Sequence, residues 1–420
     1  RVGVPHVGDS LPMNHTDDVA APIMAHPPAF PGWLLVLTGL ILLVSSACAS
    51  SAHQDTTPTA APPTETVAPT ARHPAGDYGF GYGMQLESGT DYPRALKLLQ
   101  DAGFGWAKVQ VRWEQVEPRP GDIVWDHWDR VVAQSEAAGI KLLFSVVTAP
   151  AWARPKDADL SSPGPPQDPA TYATFIGQLA QRYAGRVQAY EIWNEQNLAR
   201  EWGGPGRLDA AQYVALLRRA HAAVKAADPA AVVVLGALTP AGTADQGQGA
   251  IAIDDVEYFE QMYRAGAKGY FDAVGAHPSG FNNAPDLDPL DPANATRPGG
   301  WRDHRSFYFR NFERYREIMV RQGDSDQRIW FTEFGWASSP TPAPEYAYAA
   351  QISAQDQARY LVQAIEIARE RGYIGPVFVW NLNFAPSTEA ADREGKRAFS
   401  ILNSDWSPRP AYRALAAMPK

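Results

Sequence analysis

Residues 190–197 read Tyr-Glu-Ile-Trp-Asn-Glu-Gln-Asn, and they close a short apolar stretch, 187–193, that predicts a buried strand running into a polar loop. A carboxylic acid at such an apolar, tryptophan-lined strand end destabilises the folded chain, because desolvation disfavours its charged form. A carboxylate in such a position is expected where the chain uses it, so Glu195 is the first catalytic candidate. A second apolar strand, Ile-Trp-Phe-Thr-Glu-Phe-Gly-Trp at 329–336, also leads to a carboxylate, Glu333. We predict that these two strand ends form one site.

The region from residue 77 onward alternates between short runs rich in β-branched and aromatic residues and amphipathic stretches with helical spacing. The predicted strands span 78–85, 106–113, 141–147, 187–193, 231–238, 271–277, 329–334 and 376–382. The predicted helices span 91–102, 126–138, 169–183, 209–227, 254–265, 304–321, 354–371 and 410–417. Several helices begin at Asp or Pro and end before Gly, as helix capping favours. Strands that are each followed by a helix, eight times over, predict an α/β fold, a single (β/α)8 TIM barrel.

The carboxyl ends of the strands converge on one face of such a barrel, and active sites lie there. The residues at these predicted ends are largely polar or tryptophan: Arg112 and Trp113, Trp152, Asn194 and Glu195, His277, Glu333 and Trp336, and Trp380. We expect Trp113, Trp152 and Trp336 to bind substrate, with core packing as the alternative for the last two. The Pro- and Asp-rich loop 279–303 on the same face is predicted to wall the cleft.

Two motifs carry a resemblance to a known group of enzymes. Trp-Asn-Glu at 193–195 and Thr-Glu-Phe-Gly-Trp at 332–336 resemble the retaining glycoside hydrolases of clan A, especially cellulase-like family five and xylosidase-like family thirty-nine. The resemblance covers the chain from residue 77 to its end. It includes Trp-Glu-Gln-Val-Glu-Pro at 113–118, His277 on the sixth strand and Trp380 on the eighth.

The resemblance implies hydrolysis of O-glycosidic bonds, in β-linked oligo- or polysaccharides, by double displacement. Glu195 is then the general acid/base and Glu333 the nucleophile. Asn194 would hydrogen-bond the sugar hydroxyl next to the reacting carbon, and Trp380 would form the floor of that subsite. Retention requires the two carboxyl groups to lie about 5–5.5 Å apart, and the neighbouring anion should then raise the pKa of the acid.

The sequence leaves open which group supports Glu333. Ser279 stands where the clan has a tyrosine whose hydroxyl steadies the nucleophile. Period-two alternation places Lys108 and Arg112 on one face of the second strand, so either cation could serve; Lys108 fits the spacing slightly better. Glu191 is interpreted as a buried structural carboxylate paired with one of these two cations.

Composition limits the classes of molecule that the chain is expected to bind. The chain has 420 residues, a formal net charge of −9 and no long basic run, which argues against nucleic acid, whose binding requires phosphate neutralisation. Its 13 Trp weakly favour a carbohydrate ligand. We expect a monomer with a saccharide substrate, no cofactor and no metal. Two alternatives stay open: a barrel that binds glycans without cutting them, and a metal-dependent hydrolase using Glu195, His277 and Glu333.

The segment 1–48 predicts export. Residues 33–44 are apolar apart from one Thr and one Gly, and Ser-Ser-Ala-Cys follows. Because a membrane span needs about 20 residues, this short run reads as the core of a signal peptide. Cys48, the only cysteine, resembles the lipidated cysteine of a bacterial lipobox. It implies a lipid-anchored or secreted protein at the cell surface, with an ordinary cleaved signal peptide or a retained anchor as alternatives.

The segment 49–76 predicts a tether between Cys48 and the barrel. It is rich in Thr, Pro and Ala and has almost no large apolar residue. Such a segment cannot bury enough surface to offset its ordering entropy. The folded catalytic domain is therefore predicted to span 77–420 and to be held by its core without disulfides.

Overall fold

The computed structural model describes residues 78–87, 91–245, 247–291, 304–384 and 393–420. The segments 1–48, with Cys48, and 49–76 lie outside the described residues, as do residues 292–303 of the predicted cleft loop. Among the helices of the described ranges, none is long and apolar enough to cross a membrane.

The predicted barrel is confirmed. Parallel strands close on one another in sequence order: Gly81–Gln85 (β1), Trp106–Arg112 (β2), Lys141–Val147 (β3), Ala189–Ile192 (β4), Val232–Leu238 (β5), Ala273–Ala276 (β6), Arg328–Phe334 (β7) and Ile374–Val379 (β8). Each strand pairs with its sequence neighbours, and β8 pairs with β1 through Gly81 and Pro376. The closed barrel therefore has no free sheet edge.

Helices follow the strands and cover the outside of the barrel: Tyr92–Asp101 (α1), Asp126–Ala137 (α2), Pro169–Arg182 (α3), Ala210–Ala227 (α4), Asp255–Arg264 (α5), Phe312–Arg321 (α6), Ala354–Glu370 (α7) and Pro410–Ala417 (α8). Side-chain caps explain several starts, such as Asp209 accepting from two backbone N–H groups of α4 and Ser353 forming a capping box with Asp356 in α7.

The predicted helix 304–321 is shorter than expected. Two 3-10 turns, Arg305–Phe307 and Phe309–Asn311, come first, and α6 starts only at Phe312. Side chains take up polar groups in this stretch, because Asn283 donates to the Phe307 carbonyl and Asn311 donates to Asp255 Oδ2. These contacts tie the two turns to the loop at Asn283 and to the first residue of α5.

An aromatic plug fills the barrel at the amino ends of the strands. We define it by Trp106, Trp330 and Phe378, whose side chains are buried and whose rings meet edge-on around Trp106 at 5.5 and 6.1 Å. Glycine makes the space, since a Cβ at Gly83 would lie 2.4 Å from the Phe378 ring. With this end filled by apolar side chains, the polar inward positions lie toward the carboxyl ends.

Candidate active site

The carboxyl ends of the strands surround an open cavity of about 360 Å³, a volume in the range of small-molecule sites. Its lining includes Gln85, Arg112, Asn194, Glu195, Arg200, Glu201, His277, Phe281, Glu333, Tyr346, Tyr348, Trp380, Lys396 and Phe399. Six of the residues singled out from the sequence are brought together here: Arg112, Asn194, Glu195, His277, Glu333 and Trp380.

Glu195 lies on a tightly held loop directly after β4. Trp193 and Glu195 have φ values of 74° and 51°, the left-handed region that residues other than glycine rarely adopt. The Glu195 N–H donates to the Ala237 carbonyl at 2.8 Å, and Trp193 Nε1 donates to the Glu201 carbonyl at 3.0 Å. Strain of this kind persists where the surroundings fix the backbone, often at functional sites.

Glu333 reaches the cavity because β7 contains an irregularity. Between Phe331 and Phe334 the strand advances three residues while its partner β8 advances two, from Val377 to Val379. Strict alternation from the inward-facing Thr332 would turn Glu333 outward. The extra residue re-aims its side chain toward the barrel axis, as bulges do near active sites.

Lys108, and not Arg112, is the cation that contacts Glu333. Its Nζ lies 2.8 Å from Glu333 Oε1 and 3.2 Å from Glu191 Oε2, and its side chain has no exposed surface. Burial alone lowers the pKa of Lys108, but the two carboxylates outweigh it and raise that pKa above its usual value. The predicted pairing of Glu191 with a cation of β2 is thereby confirmed. Arg112 instead binds Glu114 at the rim of the cavity.

The two glutamates face each other across His277. His277 Nδ1 lies 3.2 Å from Glu195 Oε1, and its Nε2 lies 4.0 Å from Glu333 Oε1. One oxygen of each carboxylate and a ring nitrogen lie within 4.8 Å of one another. The arrangement therefore brings two carboxylates to the two sides of a space that one reacting atom could occupy.

Arg200 is the unexpected partner of Glu195. Its guanidinium lies 2.9 Å from Glu195 Oε2 and, through Nε, 3.5 Å from Glu201 Oε1. Burial raises the pKa of Glu195, but the hydrogen bond from His277 and the charge of Arg200 outweigh it and hold that pKa well below its usual range. The rise expected from the sequence is therefore not found, because these two contacts stabilise the anion.

Four buried polar atoms of cavity-lining residues make no hydrogen bond to the described residues: Gln85 Oε1, Asn194 Oδ1, Arg200 Nε and His277 Nε2. Buried polar atoms are nearly always satisfied, so atoms of this kind at a cleft are available to hydrogen-bond water or a bound ligand. Asn194 and His277 were predicted as binding residues. Gln85 was not predicted from the sequence as a binding residue. Its position offered a signal, because Gln85 ends β1 and lies on the same face as Gly83, which packs against the aromatic plug.

Three of the predicted tryptophans do not line the cavity. Trp113 is fully buried and stacks on Phe175 of α3 at 5.3 Å, because the alternation that turns Lys108 inward turns residue 113 toward the helices. Trp336 is also fully buried, and its Nε1 donates to a backbone carbonyl. Trp152 is partly buried and packs edge-on against Trp113. The structure thus places Trp113 and Trp336 in the core.

An aromatic wall borders the cavity near Trp380. It consists of Trp380, Phe281, Tyr346, Tyr348 and Phe399, with the Trp380 and Phe399 rings 4.6 Å apart. Tyr346 and Tyr348 belong to the 3-10 helix Pro344–Gln351, and the other three lie outside the helices and strands, where hydrophobic periodicity gives no signal. Apolar ring faces of this kind suit the C–H faces of sugars.

Removing the ammonium group of Lys108 is expected to destabilise the fold. Lys108→Met leaves Glu191 and Glu333 without their cation, and breaking a buried pair in this way costs about 3–5 kcal/mol in the free energy of unfolding. Urea or thermal unfolding measures the loss. Lys97→Met, which removes an exposed pair with Asp101, is the matched control and should change stability by about 0.5 kcal/mol or less. Equal stability of the two variants would contradict the role of Lys108.

The sequence matches no protein-family model and no curated protein. Solved structures do share its fold. They include a family 39 glycoside hydrolase from Bacteroides cellulosilyticus WH2 (23% identity, 80% of this chain, 62% of that chain, TM-score 0.58). Another is a β-galactosidase from Marinomonas ef1 (12% identity, 80% of this chain, 58% of that chain, TM-score 0.53).

Xylanase 10B from Thermotoga maritima is similar over almost its full length, with 14% identity, 81% of this chain and 95% of that chain covered, and a TM-score of 0.54. The chain spans only about three fifths of the first two structures, 62% and 58% of their lengths. At these identities the likeness shows the shared barrel fold.

Proposed function

We propose that this chain is a retaining glycoside hydrolase that acts on a β-linked oligo- or polysaccharide. The observation that carries the proposal is the pair Glu195 and Glu333, with one oxygen of each within 4.8 Å across an open cleft. Retaining enzymes place their carboxyl groups about 5–5.5 Å apart, whereas inverting enzymes need about 6.5–9.5 Å to admit a water. The glycoside hydrolases among the solved structures of this fold support a saccharide substrate.

The first half of the reaction forms a glycosyl-enzyme. A carboxylate oxygen of Glu333 attacks the anomeric carbon as the bond to the leaving oxygen breaks, and Glu195 gives its proton to that oxygen. Lys108, 2.8 Å from Glu333 Oε1, holds the nucleophile in place and balances its charge.

The second half releases the sugar. Glu195, now ionised, takes a proton from a water whose oxygen attacks the anomeric carbon, and the ester bond to Glu333 breaks. Lys108 then stabilises the departing carboxylate. Two inversions at one carbon give net retention.

Substrate contacts follow from the unsatisfied atoms at the cleft. Asn194 Oδ1 and Gln85 Oε1 would accept hydrogen bonds from sugar hydroxyls. Trp380, in the aromatic wall, would stack against the ring of the bound sugar.

A metal-dependent hydrolase is the second candidate, favoured by the convergence of Glu195, His277 and Glu333 within 4.8 Å. These donors fit a divalent ion poorly, because each carboxylate already binds a cation: Lys108 at 2.8 Å and Arg200 at 2.9 Å. An added divalent ion would lie beside both positive charges.

A panel of aryl β-glycosides and polysaccharides, with and without exhaustive chelation, tests the proposal. We expect release of aryl alcohol or sugar from at least one substrate, at a rate that chelation leaves unchanged. Loss of activity on chelation with recovery on adding a divalent ion would establish the metal class. Saccharide binding without any hydrolysis would establish a glycan-binding barrel.

We also propose that the protein is exported and lipid-anchored through Cys48, on the strength of the apolar run and the tether that flank it. Cys48→Ala should move the protein from the membrane fraction to the soluble fraction of a bacterial host. A wild-type chain that is already soluble would overturn this proposal.

A further inference from the structure

We propose that Arg200 is a positioning residue that moves between the carboxylates of Glu195 and Glu201, and so selects the protonation state of Glu195 in each half of the reaction. The inference rests on the proposed function and deepens it. It assigns a role to two cleft residues that the chemistry described above does not use.

The geometry places Arg200 between two acceptors. The guanidinium makes a close pair with Glu195 at 2.9 Å and a looser contact with Glu201 at 3.5 Å. Arg200 Nε, the atom nearest Glu201, is buried and makes no hydrogen bond among the described residues. The side chains of Arg200 and Glu201 are each 27% exposed, toward the cleft that both line. A short rotation of the guanidinium would therefore exchange one carboxylate for the other.

The proposed reaction needs Glu195 to hold a proton in the first half and to lack it in the second, and the exchange of Arg200 would favour each state in turn. The arrangement seen here suits the second half: Arg200 and His277 both contact Glu195 and favour its anion. When water attack returns a proton to Glu195, its attraction for Arg200 falls. Arg200 then turns to Glu201, and burial together with the neighbouring Glu333 anion keeps the proton on Glu195 for the next substrate.

Glu201 is suited to be the second acceptor. Burial raises its pKa, but the charge of Arg200 acts against that rise, so the carboxylate gains from a closer cation. The other charged groups that face this pair are Lys396 and Arg112, which act on Glu201, and Tyr346, which acts on Arg200.

A double-mutant cycle on the full chain tests the inference. The readout is the pKa of Glu195, followed by NMR of the side-chain carboxyl in protein labelled with ¹³C-glutamate and assigned with Glu195→Gln. Glu201→Gln should leave Arg200 fixed on Glu195 and lower the pKa of Glu195 by about one unit. In an Arg200→Met background the same change should shift it by less than about 0.3 unit. Equal shifts in both backgrounds would mean direct repulsion between the two glutamates, and would overturn the proposal.

Kinetics give the second readout. Glu201→Gln should slow glycosides with poor leaving groups about tenfold and spare activated aryl glycosides, because only the former need the proton. Arg200→Met removes a charge that stabilises the Glu195 anion, so it should move the basic limb of the kcat/KM pH profile upward. Arg200→Lys should reverse part of that shift, and it replaces the Met variant if the latter fails to fold. A uniform loss on all substrates with an unmoved pH profile would show that Arg200 only braces the loop, against the proposal. The NMR titration needs no turnover, so it tests the role of Arg200 independently of activity. A wild type without glycosidase activity would contradict the proposed function and not this titration.

Discussion

Replacing Glu333 with Gln is expected to abolish turnover on every glycoside, activated or not. The amide keeps the size of the side chain but cannot form the glycosyl ester, so both halves of the reaction lose their common intermediate. The expected fall in kcat is on the order of 10⁴-fold or more, since removal of a covalent nucleophile leaves only binding and electrostatic effects. Steady-state rates on an aryl glycoside, with substrate binding followed separately by calorimetry, measure it.

The control for this variant is Glu260→Gln, the same chemical change in an exposed pair with Arg321 on the outside of the barrel. It should retain wild-type kcat. Appreciable activity of Glu333→Gln on any substrate, beyond trace wild-type contamination, would show that Glu333 is not the nucleophile.

Replacing Glu195 with Ala is expected to divide substrates by their leaving groups. Glycosides with poor leaving groups should lose about 10²–10⁴-fold in rate, the usual worth of general acid catalysis. Highly activated aryl glycosides need little protonation, so their first half should proceed and the glycosyl-enzyme should accumulate for want of a base. A burst of aryl alcohol followed by slow turnover is the expected signature.

Azide tests the same variant from the other direction. A small anionic nucleophile needs no general base, so added azide should release the stalled glycosyl group and yield a β-glycosyl azide from a β-glycoside. Wild type should respond little, because its second half already has a base. An α-azide, or no rescue together with an unchanged leaving-group dependence, would show that Glu195 is not the acid/base.

The barrel could be predicted from the sequence because its elements obey local rules. The strand Lys141–Val147 has the predicted bounds, since a run that is apolar from residue 142 onward except at Ser145, and that follows Gly139, leaves little freedom for its ends. The helix Asp126–Ala137 likewise falls within one residue of the prediction. Glu195 and Glu333 could be found because a carboxylate at an apolar strand end is rare and the barrel brings such ends together.

Other parts of the site depend on tertiary geometry that local patterns do not contain. Arg200 follows Glu195 by five residues, but only the turn Ala199–Glu201 brings its guanidinium back to that carboxylate. The bulge that aims Glu333 inward depends on its pairing with β8. The position of Trp113, by contrast, could have been predicted from the sequence. If Lys108 and Arg112 point into the barrel, alternation turns the ring of residue 113 outward.

The aromatic plug of Trp106, Trp330 and Phe378 also limits the route by which water enters and product leaves the barrel. Because these buried rings fill the amino end, the water that completes a turnover must come in by the mouth through which the first product goes out. A lingering alcohol product is therefore well placed to intercept the glycosyl-enzyme before water does. Under the proposed double displacement, transfer of the sugar to added alcohols should therefore compete with hydrolysis, and synthesis of new glycosides should grow as the acceptor concentration rises.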